Sequence, residues 1–135
     1  MGYIFQQFQL IPSATALENV MLPLLKFFSK SDICKRAEET IIRIGLKNRI
    51  DYLPSRLSSG DQQRAAIARA LVTEPKIILA DEPTGNLDSE NSTKIIELLE
   101  SIYYFDGTTL VIVTHDNDIA MRAKDIILLK DGKIK

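Results

Sequence analysis

Residues 77–83 read Ile77-Ile78-Leu79-Ala80-Asp81-Glu82-Pro83, an apolar run that ends in two carboxylates and a proline. So short an apolar run bounded by turn formers suits a buried strand better than a helix. In an open α/β sheet, ligands lie beyond the carboxyl ends of the strands, so Asp81 and Glu82 stand where chemistry is done. Adjacent carboxylates there suit a division of labour: one holds a metal directly or through water, the other polarises an attacking water. A strand followed by a plain acidic turn before Pro83 is the competing structural reading.

Working outward, the runs Tyr3 to Phe5, Thr108 to Thr114 and Ile126 to Leu129 are also β-branched or apolar and read as buried strands. Asp131-Gly132 predicts a tight turn into a last short strand, Lys133 to Lys135. Ser29 to Ile44 predicts a helix, with Ile33, Ala37, Ile41 and Ile44 at helical spacing, Ser29 as cap and Gly45 as terminator. Leu17 to Phe27 is a shorter helical candidate interrupted by Pro23. Gln62 to Val72 is Ala-rich and ends before Glu74-Pro75, and Asn91 to Tyr104 carries Ile95, Leu98, Leu99 and Ile102 on one face. Strands alternating with helices predict an α/β fold with a largely parallel sheet, interrupted by a helical insertion from Leu17 to Leu53.

Two more stretches carry chemical potential. Leu57-Ser58-Ser59-Gly60-Asp61-Gln62-Gln63-Arg64 precedes the Ala-rich helix, and its small residues leave backbone N–H groups open to an anion at a helix N-terminus. Ser59 with Gln62 three residues on also satisfies a capping box unaided, so a plain cap is the alternative. Thr114-His115-Asp116 ends a predicted strand, and parallel strands would bring His115 to the same sheet edge as Asp81 and Glu82. Gln6, just after the first strand, joins them by the same argument.

Composition narrows the classes. The chain has 135 residues, with 17 Lys and Arg against 18 Asp and Glu, a balance of −1, which argues against a general nucleic-acid footprint. The single cysteine, Cys34, cannot form an internal disulfide, and no Cys/His zinc cluster is present, so a reduced, cytoplasmic setting is expected. No apolar run approaches the roughly 18 residues of a membrane span. The N-terminus lacks a basic segment followed by an apolar core, and Gln6 stands where a myristoylation motif wants Ser or Thr. Charge is uneven: Lys26 to Arg49 is basic, as on a solvated helix face, whereas Asp81 to Asp118 holds nine acidic residues against Lys94 alone. Magnesium sites need such acidic groups.

In the order Phe5-Gln6, LSSGDQQRAAIARAL (Leu57 to Leu71), IILADEPTGNLD (Ile77 to Asp88) and VTHD (Val113 to Asp116), the sequence resembles the nucleotide-binding subunit of an ABC transporter. FQQFQLIPSATALENVMLPLL (Phe5 to Leu25) and LADEPTGNLD (Leu79 to Asp88) resemble the lipoprotein-release, macrolide-export and cell-division branch in particular. The resemblance covers essentially the whole chain, from the Q-loop to just beyond the switch histidine. It implies a partial P-loop NTPase fold, with residues 17–72 forming a helical and signature subdomain and residues 1–8 and 73–135 the remaining core. It also implies that Gln6 senses magnesium and the attacking water, that Asp81 is the Walker B carboxylate and Glu82 the general base, and that His115 contacts the γ-phosphate. Ser58, Ser59 and Gly60 would form the signature loop, and Asn86, Leu87 and Asp88 the D-loop. ATP and Mg2+ are the cofactors implied. The partners implied are a transmembrane permease and a second nucleotide-binding subunit, with two ATP molecules sandwiched head to tail at the cytoplasmic face of the membrane. In that setting Leu22, Leu24, Leu25 and Phe27 of the insertion are expected to supply apolar surface to the permease.

This sequence departs from the family pattern in two ways. The signature usually reads LSGGQ, whereas Ser59 and Asp61 here add a side chain and a negative charge where phosphate should approach. No G-x-x-x-x-G-K-[ST] occurs among these residues, and with it the strand that carries it, the following helix and the N-terminal β-subdomain are missing from the pattern. The chain alone is therefore expected to be inactive, and the missing strand is expected to leave a gap between the switch strand and Ile126 to Leu129 that closes by pairing, rearrangement or exchange. Two alternatives share the motifs. One is a non-catalytic module lending its signature loop in trans. The other, a DNA-repair or chromosome-organising ABC ATPase, is disfavoured because residues 17–53 hold no long coiled coil or zinc insertion.

Overall fold

A computed structural model describes residues 1–135. Strand β1 (Gly2–Ile4) is followed by helices α1 (Ala16–Met21), α2 (Lys30–Arg43) and α3 (Ser59–Leu71). Then come β2 (Ile77–Asp81), α4 (Ser89–Asp106), β3 (Thr109–Val113), the short α5 (Asn117–Ala120), and a hairpin of β4 (Leu129–Lys130) with β5 (Lys133–Ile134). The first three strands form a parallel sheet in the order β1-β2-β3, with Gly2 opposite Ile78 and Ile78 opposite Leu110.

Local chemistry sets the helix limits. Thr15 and Glu18 form a reciprocal capping box at α1, and Pro23 falls in a 3-10 turn at Leu22–Leu24, so the helix expected over residues 17–27 stops at Met21. Ser29 caps α2 as expected, and Gly45 leaves the helix with φ 86°. Helix α3 begins earlier than the sequence suggested: Ser58, not Ser59, is the cap, accepting from Asp61 N–H, so Ser59 and Gly60 lie in the first turn. The four-residue helix α5, capped by Asp116, has no apolar periodicity and was not anticipated.

The core lies on one face of the sheet. Ile4, Ile78 and Ala80 are buried there, as are Ala65, Ile67 and Ala68 of α3 and Ile95, Leu99 and Ile102 of α4. Gly2 of β1 is what lets α3 approach the sheet closely, because a Cβ there would sit 2.8 Å from the Ala70 carbonyl oxygen.

The opposite face, bearing Tyr3, Ile77, Leu79, Val111 and Val113, carries no layer, so β2 is covered on one side only and not on both. Nor does Ile126 to Leu129 form a sheet strand. Ile126, Ile127 and Leu128 are exposed outside any element, and Leu129 pairs only within the hairpin around Asp131-Gly132, both at positive φ. Direct pairing across the expected gap does not occur within the chain. The segment's backbone bonds go to the hairpin instead, with the Leu128 carbonyl accepting from Lys135 N–H, and β3 pairs with β2 alone. The outer edge of β3 consequently keeps unpaired N–H and C=O groups beside an apolar face, an arrangement that recruits other chains. Light scattering is expected to show association at micromolar concentrations, reduced by Val111→Lys on the edge strand. A monomer at every concentration would contradict the exposed edge.

Candidate active site

Glu82 follows β2 with φ 44°, in the left-handed region that few residues other than glycine adopt. Its N–H donates to the Val113 carbonyl (2.9 Å), and its carbonyl accepts from Gly85 N–H (3.0 Å), closing a tight turn over residues 82–85. This backbone turns the carboxylate across to the end of β3. There Oε1 accepts from the His115 N–H at 2.9 Å and lies 2.6 Å from His115 Nδ1, while the Thr114 hydroxyl donates to Oε2 at 3.3 Å. The contact with His115 follows the parallel register, which sets Asp81 opposite Val113. A polar cleft of about 520 Å³ opens beside the pair, lined by Thr84, Ser89, Ser92, Asp116 and Asp118 among others.

The Glu82 hydrogen bond, and then its charge, raise the His115 pKa above the ordinary 6.5, with Asp116 adding to the shift. Since the folded value is raised, the stabilisation from this contact is complete below the unfolded pKa and is lost as pH rises through the folded one. His115 is the only histidine, so ring-proton NMR follows one titration. Its midpoint is expected above 6.5 and should fall back in Glu82→Gln; an unchanged midpoint would remove Glu82 as the cause.

Gln6 lies against the same turn. A Cβ on Gly85 would stand 2.5 Å from Gln6 Nε2, and the Asn86 amide donates to the Gln6 carbonyl at 2.8 Å. Gly85 thus leaves room for the glutamine, a steric role that the sequence motif alone does not disclose. Asp81 stands apart. It is exposed at the end of β2 on the open face of the sheet, near Tyr3 and Val113, and its carboxylate has no side-chain partner. No three His, Cys, Asp or Glu side chains converge on a common point. A lone strand-end carboxylate suits Mg2+, which takes one or two carboxylates and completes its shell with waters and phosphate oxygens.

Ser58, Ser59 and Gly60 form the N-terminus of α3. Gly60 is buried against α4, where a Cβ would meet Asn91 Oδ1 at 2.7 Å. Asn91 in turn binds Asp88, the cap of α4, through its N–H (2.8 Å) and its amide (2.9 Å). The backbone hydrogen bond from Asn91 is the chief reason the Asp88 carboxyl lies below the usual range. The signature-like and D-loop-like residues are therefore joined within the chain, through an asparagine that the sequence reading did not single out. Asp61 forms an ion pair with Arg49 and accepts from the Ser58 hydroxyl at 2.9 Å. The negative charge at the departure from the family pattern is met by its own cation.

These strand-end carboxylates, the histidine beside them and the parallel sheet define a partial P-loop NTPase fold of the ABC ATPase kind. The family model described as ABC transporter matches residues 1–85, and the chain belongs to that family. It is 48% identical over 137 aligned positions to the lipoprotein-releasing system ATP-binding protein LolD of Francisella tularensis, covering all of this chain and 59% of that protein. It is 48% identical over 133 residues to the macrolide export ATP-binding/permease protein MacB of Chlorobium phaeobacteroides, covering 98% of this chain and 20% of that one. Among solved structures it matches the dimeric bacterial ABC transporter cassette MJ0796 with a TM-score of 0.87 and 48% identity, over all of this chain and 60% of that one. The chain thus spans about three fifths of LolD and one fifth of MacB.

Proposed function

We propose that the chain supplies the water-activating and nucleotide-sensing part of an ABC transporter ATP-binding subunit, which couples ATP hydrolysis to movement of a membrane subunit. The observation that carries this reading is the Glu82–His115 contact at the carboxyl edge of a parallel sheet, with Gln6 on the same turn. Glu82 is the group that accepts a proton from the attacking water. With Nδ1 on Glu82, His115 turns Nε2 outward, where a protonated ring donates to a phosphate oxygen. Gln6 orients the water and reports its presence to the helical insertion. Asp81 is the carboxylate that would hold Mg2+, whose charge would offset that of the phosphates. Ser58, Ser59 and Gly60 offer the α3 N-terminus to an ATP held mainly by a second subunit; the similar MJ0796 cassette is dimeric and binds ADP and Pi.

The permease contact falls on the α1–α2 connection. Leu24 is fully buried and contributes nothing to it, contrary to the sequence expectation, but Leu25, Phe27 and Phe28 are exposed. On this reading the protein works at the cytoplasmic face of the membrane, held there by its permease. No helix in the structure is long and apolar enough to cross a membrane.

Positioning and electrostatic stabilisation account for nearly all of phosphoryl-transfer catalysis, and in this class the Walker A backbone and lysine provide much of both. No such motif occurs in these 135 residues. The 135-residue chain alone is expected to show no measurable ATP hydrolysis, and joining a Walker A strand, loop and helix ahead of Met1 is expected to produce it. Turnover by the chain alone, or none from a joined protein that folds and binds ATP, would overturn the proposal.

A further inference from the structure

Helix α3 makes two contacts that the proposed reaction leaves unexplained. Gln63 is fully buried; its amide donates to the Pro83 carbonyl at 2.6 Å, and no group of the chain donates to its Oε1. A buried unsatisfied oxygen is costly, and an apolar residue of the same size would avoid the cost, so the amide needs a reason to be there. Two turns along, the half-buried Arg69 guanidinium donates to the carbonyls of Phe8 (2.9 Å) and Gln9. It uses its charge on no carboxylate.

The two targets share a property. Pro83 follows Glu82, and Phe8 and Gln9 follow Gln6 closely; Glu82, Phe8 and Gln9 are three of the five non-glycine residues at positive φ. Such backbone persists only where its surroundings over-determine it. The gripped segments also touch each other, through the Asn86 amide on the Gln6 carbonyl and Gln6 Nε2 against Gly85. The contacts run in a closed ring: from α3 through Gln63 to the Glu82 turn, through Asn86 to Gln6, and through Arg69 back to α3.

We propose that Gln63 and Arg69 are positioning residues by which α3, the helix behind the signature loop, holds the Glu82 turn and the Gln6 segment as one unit. This rests on the functional reading above for its significance, but not for its first test. A shift of α3 relative to the sheet cannot then leave the Glu82 carboxylate where it was. The signature-loop helix sets the geometry of the water-activating group from within the same subunit.

The test uses the 135-residue chain with no nucleotide. Gln63→Met keeps the volume and removes the amide; Arg69→Met removes both donors, and Arg69→Lys keeps the charge. Two signals are read by NMR: the titration of His115, whose ring faces Glu82 and Asp116, and exchange of the Phe8, Gly85 and Leu87 amides, which hydrogen-bond within the two segments. Gln63→Met is expected to bring the His115 midpoint back toward the ordinary value and to speed exchange in both segments. Arg69→Met is expected to do the same, with Arg69→Lys partly restoring it and the double variant adding little to either single one. Folded variants that each loosen only their own segment, or leave His115 unmoved, would overturn the proposal. Should Gln63→Met not fold, Gln63→Asn, which shortens the reach, is judged by the same readings. In the protein joined to a Walker A segment, each Met variant is expected to lower kcat about tenfold with KM within about twofold. No turnover in the unmutated joined protein would refute the functional reading while leaving the NMR result to judge the ring.

Discussion

Glu82→Gln, in the protein joined to a Walker A segment, is expected to lower ATP turnover by about 10²–10⁴-fold while leaving nucleotide affinity nearly unchanged. Glutamine keeps the size of the side chain, and its amide oxygen still accepts from the His115 N–H that now meets Oε1 at 2.9 Å. What it loses is the capacity to take a proton from water as the bond to phosphorus forms. At about 1.36 kcal/mol per tenfold change, the loss corresponds to roughly 3–5 kcal/mol of transition-state stabilisation, more than one neutral hydrogen bond supplies. Single-turnover hydrolysis measured beside equilibrium ATP binding separates the two effects. A loss below about threefold would mean that another group, or water itself, accepts the proton, and Glu82 would be left as an anchor for His115.

Which candidate residues share a sheet edge was more legible in the sequence than the geometry between them. Parallel alternation places Glu82 and His115 at one sheet edge, so their juxtaposition followed from the strand pattern together with the rule that ligands lie beyond strand carboxyl ends. Nothing local encodes the left-handed backbone of Glu82, which carries its carboxylate across to His115 at the end of β3. The Arg49–Asp61 pair and the Asn91 bridge were illegible for a related reason: each joins elements distant in the chain, and periodicity reports only on neighbours within one element. Ile126 to Leu129 shows the converse limit. Its apolar pattern reads as a strand, but a strand exists only where a neighbour accepts its hydrogen bonds, and Ile126 to Leu128 pair with no strand of the sheet. The apolar run Ile77 to Ala80 likewise disclosed a strand suited to two covers, although one face of it here is open.

That open face makes the stability of the chain depend on a single layer of packing, and Ile78→Ala tests it. Ile78 is fully buried on the central strand, between Gly2 and Leu110 and against the helices. Truncating a buried isoleucine costs about 2–5 kcal/mol through lost transfer energy and the cavity left behind. Ordinary domains hold only about 5–15 kcal/mol in total, and this sheet draws its apolar support from one side. Ile78→Ala is therefore expected to lower the urea midpoint sharply, or to leave a large unfolded fraction in water by circular dichroism. Its neighbour Leu79 points to the open face and is only half-buried, so Leu79→Ala is expected to cost under about 1 kcal/mol. Adjacent residues of like size on one strand then differ by several-fold in cost solely because the pleat turns them to opposite faces. Equal costs at the two positions would mean that the second face is covered in solution, and self-association through it would be the first cause to examine.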